Sequence, residues 1–141
     1  MIRFQLVSLS GLKFNEEVYE VILPTLDGII GVLDHHMSLV SVATTGTIAV
    51  RHKSNDPDDL REYFAISGGV IEVSNNILTV LVDEADHADE INEAEVRKAY
   101  EAAQKLKAEA KDQVSLERAQ ELVDRQTVRL QVAGLKRRRR S

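Results

Sequence analysis

The residues of this chain with chemistry to offer fall in four places. Asp34-His35-His36 supplies two imidazoles and a carboxylate, but neighbouring residues of a strand point to opposite faces and do not easily close on one ion. Ser67-Gly68-Gly69 has the look of a phosphate-cradling turn. It lacks the Lys-Ser/Thr pair of a P-loop and a following helix, so a structural bend is expected there. No G-x-S-x-G frame surrounds Ser67, which removes it as a nucleophile. Asp83, Glu84, Asp86, His87, Asp89 and Glu90 make an acidic run without the spaced ligands and glycine of an EF-hand loop. That pattern predicts a solvated connector before a helix. Lys136 to Arg140 concentrate five positive charges, suited to nucleic acid, anionic lipid or an acidic protein groove, or to simple solubilisation. With no cysteine there is no disulfide, thiolate metal site or Cys nucleophile. Catalytic residues, metal ligands and cofactors are therefore all expected to be absent.

The elements that hold these residues are of two kinds. From Ile2 to Val82 apolar and polar residues alternate between turn signals, as in the half-buried strands of a sandwich or barrel. Gly11 marks a turn, Pro24 is expected to end a strand running from Val18 to Leu23, and Asp27-Gly28 is a turn before Ile29 to Leu33. Thr47 to Val50 follow Gly46, residues 53–59 form an exposed polar loop, and Glu62 to Ile66, Val70 to Val73 and Ile77 to Val82 read as separate strands. Asn75-Asn76 predicts a tight hairpin, since Asn tolerates positive φ.

Beyond Asp83 helix formers replace β-branched residues, which places a boundary near residue 86. Asn92 with Glu95 resembles a capping box, opening a helix over 92–111 whose stripe is Val96, Ala99, Ala103, Leu106 and Ala110. A second helix is expected to start at Ser115 and stop at Gly134, with Leu116, Ala119, Val123, Gln126, Leu130 and Ala133 on its inner stripe. The short link makes the two antiparallel. Ala buries few methylenes, so this hairpin should be marginal alone.

The 141 residues carry a net charge of −5 and are 43% hydrophobic but only 4% aromatic, so aliphatic side chains must build the core. Setting aside the five tail charges leaves 13 of 18 basic residues against 23 acidic ones, a poor surface for nucleic acid. No run approaches the roughly 20 apolar residues of a membrane span. A soluble, cytoplasmic product is expected.

Three features together resemble one family. They are Leu23-Pro-Thr-Leu-Asp-Gly-Ile-Ile-Gly-Val-Leu33 with His36, Ile66-Ser-Gly-Gly-Val-Ile-Glu-Val73 with Asn76 and Thr79-Val-Leu-Val82, and the terminal helix pair. The chain resembles the epsilon subunit of a rotary F-type ATP synthase over essentially its whole length. The resemblance implies a segregated α+β protein: a β-sandwich of about ten strands over 1–86 and a regulatory helical hairpin with a basic tail over 87–141.

It further implies a non-catalytic rotor subunit without a cofactor, bound to the gamma subunit, the proton- or sodium-driven ring of c subunits and the alpha/beta head. Such a subunit is peripheral on the cytoplasmic face of a bacterial membrane, which it meets only through the complex. Its hairpin can rest on the sandwich or extend into the head and restrain ATP hydrolysis, with Arg137, Arg138, Arg139 and Arg140 as regulatory contacts.

His36 matches the family histidine near the rotor ring, and Gly68 and Gly69 match the sandwich glycine pair grouped with it as ring and gamma contacts. Asp34-His35 stands where the family often has Pro-Gly, and Ile29 replaces an acidic residue. Some members bind ATP through Ile/Leu-Asp-x-x-Arg-Ala. Here Ile91-Asn92 lacks the acid and the nearest substitutes are Glu95 and Lys98, so the isolated subunit is expected not to bind ATP. The competing reading is a free-standing adaptor that uses the tail to bind nucleic acid or an acidic partner.

Overall fold

A computed structural model describes residues 1–140, with side chains described through Leu135. The eight strands are β1 (Ile2–Ser8), β2 (Gly11–Val18), β3 (Glu20–Thr25), β4 (Gly28–Leu33), β5 (Leu39–Ala43), β6 (Gly46–Arg51), β7 (Glu62–Ser74) and β8 (Ile77–His87). Two helices follow, α1 (Glu93–Glu109) and α2 (Gln113–Arg140). The α+β sandwich is as expected, with eight strands among the described residues rather than about ten.

Strand order runs β2-β1-β8-β7-β5-β3-β4, with β6 pairing β3 and β7. β7 and β8 are long enough to belong to both layers: the first half of β7 pairs β6, from Glu62 with Val50 to Ile66 with Gly46, and the second half pairs β5, from Gly69 with Ala43 to Val73 with Leu39. The two expected runs at 62–66 and 70–73 are thus one strand. The buried positions that join the sandwich core shift from Phe64 and Ile66 to Ile71 and Val73 across the glycine pair, and in β8 from Val80 and Val82 to Ala85. Ser67-Gly68-Gly69 is therefore a bend inside a ladder. At Gly69 an added Cβ would overlap the Leu81 carbonyl oxygen, so a side chain is excluded.

The core is aliphatic, with Ile2, Leu6, Val18, Val21, Leu23, Ile48, Ile71 and Leu78 fully buried around Phe4 and Phe64. Strands such as β1, with Ile2, Phe4 and Leu6, and β3, with Val21 and Leu23, contribute alternate residues to it, which is why the period-two pattern is readable there. Asn75 (φ 52) and Asn76 (φ 60) make the tight β7–β8 turn in the left-handed region, and Gly28 (φ 118) follows Asp27 as expected.

Four expectations need correction. Pro24 does not end β3 but lies within it, its carbonyl accepting from Thr44 N–H at 3.2 Å. Asp83 to His87 are not a connector but the end of β8. Helix α2 begins at Gln113 with the Asp112 carboxylate accepting from Ser115 N–H at 2.7 Å, so Asp112 replaces Ser115 as its cap. Gly134 lies inside α2, which continues to Arg140; its Cα faces open space, so nothing there requires a stop.

Candidate functional site

Three surfaces meet the requirements of a site, and all are surfaces for binding. The first is an apolar row on the outer face of the sheet. Val42 of β5 pairs with Val70 of β7, Val70 with Leu81 of β8, Leu81 with Val7 of β1 and Val7 with Leu12 of β2. Partners in register lie on one face, so five strands contribute one continuous stripe. Val42, Val70, Leu81 and Leu12 are 48%, 46%, 51% and 60% exposed. An isolated exposed Leu means little, whereas a contiguous apolar stripe marks a face that another protein covers.

The second surface is the loop between β4 and β5. Its frame is a polar clamp: Asn76 donates through Nδ2 to Asp34 Oδ1 at 2.8 Å and to the Met1 carbonyl at 3.1 Å, and its Oδ1 accepts from His35 N–H at 2.8 Å. The Asn76 amide holds the Asp34 carboxyl below its ordinary value, and the nearby ammonium group of Met1 and the His35 ring act in the same direction. His35 adopts φ 59 in this turn, so Asp34-His35 is not strand as the opposite-face argument supposed. His36 Nδ1–H donates to the Met37 carbonyl at 2.7 Å, which leaves Nε2 as the nitrogen available to a partner. Met37 beside it is 75% exposed. Gly68 and Gly69 lie at the bend of β7.

The third surface is the seat of the hairpin on the sandwich. Ala65, Ala88, Ile91, Val96, Val132 and Ala133 are buried together, with Tyr63, Val128 and Leu130 packed against them. Around this small apolar patch Arg125 pairs with Glu84 at 3.5 Å and Arg129 with Asp86 at 3.2 Å. The acidic run is therefore half of a docking surface. Sequence reasoning missed both arginines; the available signal was two carboxylates and two guanidinium groups, each pair spaced to share one side of a strand or helix. Within the hairpin Val96, Ala103, Ala119, Val123 and Ala133 are buried as expected, while Leu106 and Leu116 are exposed.

Asn92 caps α1, its Oδ1 accepting from Glu95 N–H at 3.2 Å. Glu95 and Lys98 are exposed on α1. The side chains of Arg137 to Arg140 lie outside the described residues. No described helix is long and apolar enough to cross a membrane.

A small sandwich whose outer face, loop and helical appendage all present docking surfaces defines a class: an interaction subunit of a larger assembly. Residues 1–88 match the family described as ATP synthase, Delta/Epsilon chain, beta-sandwich domain. The chain is 39% identical over 130 residues to an ATP synthase epsilon chain of Xanthomonas campestris pv. campestris, covering 92% of this chain and 90% of that one. It is 35% identical over 139 residues to that of Herpetosiphon aurantiacus, covering 98% of each. To the chloroplastic epsilon chain of Adiantum capillus-veneris it is 34% identical over 122 residues, covering 86% of this chain and 89% of that one. A chain of the Euglena gracilis mitochondrial ATP synthase OSCP/F1/c-ring structure shares the fold, with a TM-score of 0.76, 22% identity and coverage of 94% and 80%. The chain belongs to the family of epsilon subunits of F-type ATP synthases, which are non-catalytic.

Proposed function

We propose that this subunit is a central-stalk rotor element, joining gamma and the ring of c subunits to the alpha/beta head and restraining ATP hydrolysis through its hairpin. The observation that carries the reading is the apolar row from Val42 to Leu12, which requires a protein partner and has the length of a sheet face to offer it. Gamma is that partner in this reading, and the His36 loop at the strand ends faces the ring. The division of labour falls near residue 87, where strand gives way to helix. Work on the head belongs to α1 and α2, and the subunit sits peripherally on the cytoplasmic face of a bacterial membrane.

Val70→Glu with Leu81→Glu tests the first half. Both sites are exposed and should accept the charge without unfolding; loss of co-purification with gamma is expected, and retained gamma would sink the assignment. For the brake, Glu84→Cys with Arg125→Cys in this cysteine-free chain should lock the hairpin to the sandwich under oxidation. ATP hydrolysis by the assembled complex should then rise, and reduction should reverse it. Equal rates in both states would remove the hairpin from regulation. Deleting residues 135–141 should weaken the brake in a salt-dependent way if the tail arginines engage an acidic groove of the head.

A further inference from the structure

At one open end of the sandwich three residues far apart in sequence converge. Glu16 comes from β2, His52 directly follows β6 and Glu62 starts β7, and one ligand atom of each lies within 4.8 Å of the others. The placement of Glu16 is unusual. It pairs with buried Phe4 and alternates with buried Phe14 and Val18, so it occupies the core-facing side of an edge strand. A carboxylate there is aimed at the mouth of the sandwich, toward a second carboxylate.

Glu62 stands between two imidazoles. Its Oε2 is 2.9 Å from His52 Nε2 and its Oε1 is 3.6 Å from His87 Nε2. His87 Nδ1 accepts from Asp89 N–H at 3.0 Å, which places the ring proton of neutral His87 on Nε2, facing Glu62. At 3.6 Å the His87 ring stands behind the Glu62 carboxylate without bonding to it, near enough to donate to Oε1 and orient the group once a metal engages Oε2. Beneath the group lies an aromatic floor: Phe14 is 6.0 Å from the His52 ring and 5.6 Å from Phe64, and Phe64 is 5.0 Å from His87. The donors thus stand on a packed apolar base at the rim of a rigid sheet.

We infer that Glu16, His52 and Glu62 form a site for a zinc-class divalent ion, with His87 as a positioning residue. One imidazole nitrogen and two carboxylate oxygens suit Zn²⁺ better than Mg²⁺ or Ca²⁺, which favour all-oxygen shells. Three protein ligands leave a fourth, open position for water or a donor from a neighbouring molecule. On binding, His52 Nε2 exchanges its bond to Glu62 for the metal, its proton leaving to solvent or moving to Nδ1. The ion would tie the edge strand β2 to β6 and β7. Through His87 and Asp89 it would also stiffen the segment leading into α1.

The test is titration of the full chain with ZnCl₂ in excess Mg²⁺, followed by calorimetry and by the visible spectrum of the Co²⁺ form. One ion per chain with micromolar or tighter affinity is expected. Glu16→Gln and His52→Asn should each weaken it at least tenfold, and His87→Asn should weaken it less. Glu16 is exposed, so its variant should keep the circular dichroism of the parent. A double His35→Asn/His36→Asn variant should bind as the parent does. Millimolar binding, or binding lost in the His35/His36 variant and kept in His52→Asn, would overturn the site.

Discussion

The sandwich and the hairpin are built on opposite terms. In the sandwich fully buried Phe, Leu, Ile and Val interlock with ladder hydrogen bonds on both sides. The hairpin rests on a smaller cluster of Ala65, Ala88, Ala133, Ile91 and two valines, ringed by partly exposed ion pairs. Burying a large side chain contributes about 1.5–3 kcal/mol, whereas an exposed ion pair contributes roughly 0–1 kcal/mol and weakens with salt. The contrast teaches that stability here is unequally distributed, which predicts that the helices open before the strands do.

The largest test of that contrast is Phe64→Ala, which removes a ring in contact with Phe14 and His87. A loss of about 3–5 kcal/mol is expected from cavity formation, read as a fall in the urea midpoint of β-sheet circular dichroism. Gly69→Ala should follow at about 3 kcal/mol, because the added methyl collides with backbone rather than with a side chain that could yield. If either leaves the midpoint unmoved, the sandwich is not the rigid partner.

Arg125→Ala with Arg129→Ala should cost only about 1 kcal/mol, yet raise amide hydrogen exchange throughout α1 and α2 and leave β1 and β8 protected. Equal acceleration in both regions would erase the comparison. Asn92→Ala removes the α1 cap at a cost of about 1 kcal/mol, again confined to the helices.

The smallest effect is one of acidity. The backbone N–H of Ser115 holds the Asp112 carboxyl below its ordinary value of 3.8. A carboxyl lowered in the folded state contributes stability that is complete above its unfolded value and is lost as pH falls below it. Helix α2 should therefore fray from its start below about pH 3.8, an effect that Asp112→Asn abolishes, as helical circular dichroism would report.

Where one physical rule dominated, the sequence was legible. Alternation revealed β1, the Asn75-Asn76 turn revealed the β7–β8 hairpin, and Asn92 with Glu95 revealed the start of α1. Strand β5 was missed because Leu39-Val-Ser-Val-Ala43 has Val40 and Val42 on the side away from the core, so its outer face is apolar and alternation fails. That same departure created the apolar row. The row itself depends on cross-strand register, which no single segment encodes. The charges of residues 83–87 looked like solvated loop because their partners, Arg125 and Arg129, lie about forty residues on. Gly134 misled because helix termination is a statistical habit of glycine and not a requirement.

The passage of β7 and β8 through both layers has a mechanical consequence. In a sandwich of two separate sheets, a shearing load is resisted only by side chains sliding over one another. Here a load entering beside the His36 loop, which Asn76 ties to the β7–β8 turn, meets continuous main chain and its ladder all the way to the root of the helices. Along this ribbon the ladder hydrogen bonds share a shearing load in parallel, so slippage would require many of them to break at once.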